Sequence, residues 1–220
     1  MDRSIRRTLL ILLLIVFLIF GFVIFQQMDN RSQEPEPAPD LSAMNTFVYD
    51  EPRELVEFTL TSEEGGEMTR KDLEGRWTFV FVGYTNCPDI CPATMATLRQ
   101  TDARLPSELP QPDYLLVSAD PEHDTPEKLK QYVDFFGEDF HGVTGDIDVL
   151  RSLAQSVGAV FVHRDDGDGN TLVDHSGHLA LINPQGRTAA LIQPPHDPDK
   201  LAEAYREIYE WTRRNQSRSG

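Results

Sequence analysis

Two residues carry the clearest chemistry in this chain. Cys87 and Cys91 are its only cysteines, four positions apart in Gly83-Tyr84-Thr85-Asn86-Cys87-Pro88-Asp89-Ile90-Cys91-Pro92. The apolar run 77–82 before them reads as a buried central strand, and a segment of helical spacing through Met95, Leu98 and Arg99 follows. Both thiols therefore fall where a strand hands over to a helix. A helix N-terminus carries partial positive charge and free N–H groups, which favours thiolate, the form that attacks and that binds metal. The C-x-x-x-C spacing is one residue longer than the usual dithiol. Two such thiolates can clamp a soft ion such as Cu(I) and leave a third position open, or close into a Cys87–Cys91 disulfide. An inert structural bridge is the weaker reading, because so short a loop constrains little of the unfolded chain.

The histidines are the next candidates. His175, in Leu172-Val173-Asp174-His175-Ser176, is expected in a polar loop just before an apolar strand beginning at Leu179. Taken alone it is either a metal ligand or an ordinary surface histidine. His178 lies three residues on and faces the other way on an extended chain. His123 falls in a loop after the second strand and is a candidate auxiliary ligand, whereas His141, His163 and His196 are expected to face solvent. Met95, one turn beyond Cys91, reads as core before it reads as a ligand. The acidic stretch 165–170 resembles a calcium loop only superficially. Counted from Asp166, the sixth and twelfth positions hold Thr171 and Gly177 where an EF-hand needs glycine and glutamate.

The elements that must position these residues follow from the pattern. Residues 55–60 alternate apolar and polar, with a turn at 63–66. Residues 114–118 form a second short apolar strand, and Thr125 with Pro126 starts a helix whose apolar face is Leu129, Tyr132, Val133 and Phe136. Another helix runs through Leu150, Leu153 and Val157 and stops at Gly158, and 159–162 reads as a third strand. A hairpin then turns at 183–186, and Asp197 caps a last helix begun by Pro198. Alternating strands and helices imply crossover units and a mixed sheet, an α/β fold of thioredoxin-like pattern. Sites in such sheets form at the carboxyl ends of strands, where the cysteine loop and the Asp120 loop both emerge.

Ahead of this domain, residues 9–25 run without a charge or strong polar group, and at about 1.5 Å per residue they span about 25 Å, near the lower limit for a membrane helix. Arg3, Arg6 and Arg7 precede the run and an acidic stretch follows, so the positive-inside rule puts the N-terminus in the cytoplasm. A cleaved signal peptide fits less well, since 26–29 offers no small-x-small site, and without a cysteine after the apolar core a lipoprotein is excluded. The expected organisation is a cytoplasmic tip and anchor over 1–28, a proline-rich linker over 29–46, the folded domain over 47–212 and a polar tail over 213–220. A net charge of −16 argues against nucleic acid and anionic lipid surfaces as partners.

Three blocks together resemble the Sco/SenC family of membrane-anchored copper-binding proteins: the cysteine block 83–92, Asp120-Pro121 with Asp124-Thr125-Pro126, and Val173-Asp174-His175-Ser176 ahead of 181–186. The resemblance implies a thioredoxin-like fold, copper held by Cys87, Cys91 and His175, and a role in building the copper A centre of a respiratory cytochrome c oxidase. Its implied partners are the copper-bearing oxidase subunit and, beyond it, other copper chaperones or thiol reductants. The chain departs from its relatives at His123, where many carry arginine, and at Asn86, where some carry histidine. Two thiolates and an imidazole suit Cu(I), and with a further weak ligand Cu(II). The rival reading is an enzyme, a metal-independent thiol-disulfide oxidoreductase using Cys87 and Cys91. That reading gives His175 no task, and no proline stands between Val160 and Asn183 to face the dithiol as the cis-proline of thioredoxins does. Lacking a recognisable presequence before the anchor, the chain is expected in a bacterial inner membrane with its domain in the periplasm.

Overall fold

The computed structural model describes residues 3–32, 36–165 and 171–219. These fall into two compact units, one made of Met1–Pro37 with Tyr209–Gly220, the other of Ala38–Ile208.

In the first unit α1 (Arg3–Ser32) contains the apolar span Ile5–Phe25, the one helix among the described residues long and apolar enough to cross a membrane. The described apolar side chains of that span face outward. In the same unit the Trp211 indole and the Asn215 amide both donate to the Glu36 carbonyl, at 2.9 and 3.0 Å, while Arg214 pairs with the Glu36 carboxylate. Helix continues over residues 213–219 of the stretch expected as a polar tail.

The second unit is built, in chain order, from β1 (Thr46–Glu54), β2 (Thr59–Ser62), β3 (Glu67–Thr69), β4 (Thr78–Gly83), α2 (Ile90–Asp102), β5 (Asp113–Ser118), α3 (Pro126–Asp134), β6 (Phe140–Thr144), α4 (Ile147–Ser156), β7 (Phe161–Asp165), β8 (Thr171–His175), β9 (Leu179–Ile182), β10 (Arg187–Ile192) and the start of α5 (Pro198–Ser219). Eight strands form one mixed sheet in the order β1-β10-β9-β4-β5-β6-β2-β3. β4 runs parallel to β5 and antiparallel to β9, so the strand that delivers the cysteines is central, and all six of its residues are buried. Gly83 pairs with Ser118, which brings the cysteine loop and the Asp120 loop out at one edge.

Local chemistry explains the helix ends. Thr125 accepts from the Lys128 amide and Pro126 opens α3. Asp197 accepts from the Asp199 and Lys200 amides ahead of α5. Gly158 terminates α4 at φ 77°, a left-handed conformation costly for any residue with a Cβ. The core beneath the site is aromatic: Tyr114 stacks between Phe79 and Phe140 at 5.7 and 4.4 Å. Side chains of this size contribute about 1.5–3 kcal/mol each on burial.

Two sequence expectations change here. The third strand expected after Gly158 forms, as β7, but it does not join the main sheet beside β5. That place is taken by β6, whose apolar signal is diluted by Gly142; a Cβ there would lie 3.3 Å from Leu129, so the glycine lets α3 close on the sheet. β7 instead pairs with β8 in a separate two-stranded sheet, and His175 ends β8 rather than sitting in a loop. Nor are three histidines simply solvent-facing. His141 is half-buried and meets Glu63 at 2.8 Å, His163 meets the Ala119 carbonyl at 2.7 Å, and His196 meets the Gly177 carbonyl at 2.8 Å. Polar partners inside the fold hold them, which no local pattern reveals.

Candidate metal centre

β4 leads into the loop 84–89 and α2 begins at Ile90. Asp89, at the N-cap position of α2, makes no side-chain cap. The Cys87 sulfur takes that place, accepting from the Cys91 amide at 3.4 Å. Burial alone would push the Cys87 thiol up. The amides of Asp89, Cys91 and Ile90 and the Cys91 side chain outweigh it and hold Cys87 below the ordinary thiol value. Cys91 is fully buried, and burial drives its thiol well above the ordinary range. The two sulfurs are thus unlike: Cys87 is half-buried with its thiolate form favoured by amides, Cys91 is enclosed.

Cys91 fits only because Gly83 lacks a side chain. A Cβ on Gly83 would lie 2.9 Å from the Cys91 sulfur and 2.8 Å from the Phe81 ring. The glycine that ends β4 is therefore the floor of the site.

His175 reaches the sulfurs from the other side. Its Nε2 lies 3.3 Å from the Cys91 sulfur, across 84 residues of chain. Nδ1–H donates to the Ser176 carbonyl at 3.1 Å, which leaves the Nε2 lone pair facing the thiols. The Phe81 and Tyr84 rings stand edge-on to the imidazole at 5.5 and 6.0 Å. Burial lowers the His175 pKa, which favours the neutral ring, the form that binds metal. The ligand atoms of Cys87, Cys91 and His175 all lie within 4.8 Å of one another. Ligand bonds of about 2.0–2.3 Å to one ion bridge such a span, and a cation arriving there supplies the positive charge under which a buried thiol gives up its proton. The donor set is soft, with two sulfurs and one imidazole, and it fits copper.

A carboxylate holds the loop in place. Asp124 is fully buried and accepts from the Thr85 amide at 3.2 Å, the Thr85 hydroxyl at 2.6 Å and the Ser118 hydroxyl at 2.7 Å. It pins the chain two residues before Cys87. The Asp120–Asp124 block was visible in the sequence, but Thr85 and Ser118 carried no signal of their partnership with it.

The remaining candidates lie elsewhere. His123 is exposed and its Nδ1 sits 2.9 Å from Asp120, whose hydrogen bond and charge raise its pKa. It is not part of the three-residue cluster. Asn86 accepts from Lys128 at 3.4 Å. His178 is buried and donates to the Val157 carbonyl, and Met95 is buried in the core. Residues 166–170, most of the acidic turn, lie outside the described residues.

Fold and site together define a thioredoxin-like domain bearing a two-thiol, one-imidazole centre for a soft metal. The profile of the SCO1/SenC family matches residues 49–210, and the chain belongs to that family. A protein of Stutzerimonas stutzeri, by its name a candidate copper-binding protein, is 34% identical over 172 residues, covering 76% of this chain and 84% of its own. The mitochondrial SCO1 homolog 1 of Arabidopsis thaliana is 32% identical over 148 residues, and the chain spans 44% of that relative's length. The crystal structure of Arabidopsis thaliana ScoI with copper bound superposes with a TM-score of 0.67 at 30% identity, covering 71% of this chain and 98% of the other.

Proposed function

We propose that this protein is a copper metallochaperone. It holds copper as cargo through Cys87, Cys91 and His175 and serves the copper A centre of a respiratory cytochrome c oxidase, with the copper-bearing subunit as recipient. The observation that carries this reading is the convergence of three soft ligand atoms within 4.8 Å from two distant parts of the chain. Cys87, only half-buried and below the ordinary thiol range, is the ligand an incoming partner meets first.

The thiol asymmetry also supports a second reading, thiol-disulfide exchange, in which Cys87 attacks a disulfide and Cys91 resolves the mixed intermediate. It serves either the reduction of the recipient's cysteines or a metal-independent oxidoreductase. His175 separates the two. His175→Ala is expected to weaken Cu(II) binding and shift the thiolate-to-copper absorption, while Cu(I) binding suffers less and the Cys87–Cys91 disulfide still forms. Copper titration in both oxidation states, with thiol counting after mild oxidation, measures this. Unchanged Cu(II) affinity and spectrum would remove His175 from the site and restore the oxidoreductase reading.

The setting is inferred from α1. An outward-facing apolar helix behind Arg6 and Arg7 supports a single-pass anchor in a bacterial inner membrane, N-terminus in the cytoplasm, linker over 29–46 and copper domain over 47–212 in the periplasm. Alkaline phosphatase fused after Gly220 is expected to be active, because it folds only outside the cytoplasm. An inactive fusion paired with an active cytoplasmic reporter would overturn the topology.

A further inference from the structure

The hairpin β7–β8 carries His175, yet among the described residues no ladder ties it to the eight-stranded sheet. Side chains on its inner face help to orient it over the cysteines. Phe161 and Val173 are buried there, while Val162 and Arg164 face outward. Apolar contact of this kind is non-directional.

On β8 the Tyr84 hydroxyl bonds the Val173 backbone; the directional contact made from β7 is that of His163. Its Nε2 lies 2.7 Å from the Ala119 carbonyl oxygen. A carbonyl only accepts, so Nε2 bears the proton and donates. The Ala119 N–H in turn donates to the Gly83 carbonyl at 2.7 Å. Gly83 ends the strand that delivers the thiols and supplies the clearance for the Cys91 sulfur. Across the hairpin His163 pairs with Val173, two residues before His175. Two hydrogen bonds through one alanine therefore connect the thiol half of the site to the imidazole half.

Resting on the reading of His175 as a copper ligand, we infer that His163 is a positioning residue: its bond to the Ala119 carbonyl sets the imidazole of His175 against the two sulfurs, and so tunes the site's hold on Cu(II) without contributing a ligand. Cu(I) can be held by two thiolates alone, whereas Cu(II) depends on the nitrogen ligand. Loss of the His163 bond should therefore fall on one oxidation state.

The test uses the full-length protein in detergent. His163→Phe keeps a ring beside Phe161, whose centroid lies 5.8 Å from that of His163, and removes the donor. It is expected to weaken Cu(II) on the order of 10–100-fold, the range for groups that orient metal ligands, to shift the thiolate-to-Cu(II) absorption band, and to leave Cu(I) affinity unchanged. His163→Gln returns an N–H and should recover most of the affinity. In a His175→Ala background, adding His163→Phe should change neither quantity. Wild-type Cu(II) affinity and spectrum in His163→Phe would overturn the inference. So would a loss shared equally by Cu(I) and Cu(II), or one that persists without His175, since either marks a purely structural role. If His175→Ala itself leaves Cu(II) binding intact, the ligand reading fails first and this inference with it. If His175→Ala loses Cu(II) and His163→Phe does not, only the positioning role falls.

Discussion

Replacing Cys91 by serine is expected to abolish tight Cu(I) binding while leaving the domain folded. Groups that merely orient ligands cost about 10–100-fold in metal affinity, and removing a ligand atom from a soft-metal site should exceed that range. Cys91 is the more demanding of the two positions. Its sulfur is enclosed by the Gly83 backbone and the His175 ring, so no outside group can replace it. The fold should survive, because a serine hydroxyl can donate to His175 Nε2 as the thiol does and adds no bulk. Cu(I) competition against a chromophoric chelator measures the loss, with thermal unfolding of the metal-free protein as the control for folding. Cu(I) affinity equal to wild type would sink the two-thiolate site. In the wild type, affinity should fall on acidification, since protons compete for all three ligands. The lowered Cys87 and His175 pKa values move their part of that competition to lower pH, while the raised Cys91 thiol moves its part to higher pH.

The second large effect belongs to a residue that never touches the metal. Asp124→Ala is expected to strand the Thr85 amide and the two hydroxyls that donate to the buried carboxylate. An unsatisfied buried donor costs about 1–3 kcal/mol, and in a domain of this size each kcal/mol lowers Tm by about 2–4 °C. The loss should therefore be several degrees in the metal-free protein. Freed from Asp124, Thr85 no longer fixes the chain two residues before Cys87, so Cu(I) affinity should fall as well. Asp124→Asn keeps one oxygen as acceptor and should retain part of both properties. Differential scanning calorimetry and copper titration on the same samples decide the matter. A Tm within error of wild type in Asp124→Ala would show that the carboxylate is not the clamp its geometry describes.

Much of this protein was legible along the chain because it depends on neighbours in sequence. A C-x-x-x-C block between an apolar run and a helical pattern places two thiols at a helix start without any knowledge of the fold. The caps at Thr125 and Asp197, the stop at Gly158 and the turn at 183–186, where the Gly186 amide donates to the Asn183 carbonyl at 2.9 Å, are likewise local. The apolar anchor is a matter of composition alone. The resemblance then attached His175 to the cysteines before any geometry was known.

Tertiary structure decided what depends on distance along the chain. β6 has too few apolar residues to announce itself, yet it is the third parallel strand because Gly142 lets α3 lie close above it. The β7–β8 hairpin could not be told from a sheet strand and a loop, because strand pairing is a contest between partners and not a property of one segment. Only that hairpin brings an imidazole 84 residues away to within 3.3 Å of a thiol. The pKa asymmetry of the cysteines is equally non-local, since equal residues four positions apart differ only in what surrounds them: amides for Cys87, burial for Cys91. Sequence by itself determined which atoms could bind a soft metal; the fold decided that they face one point, because convergence is a relation between segments that local propensity does not encode.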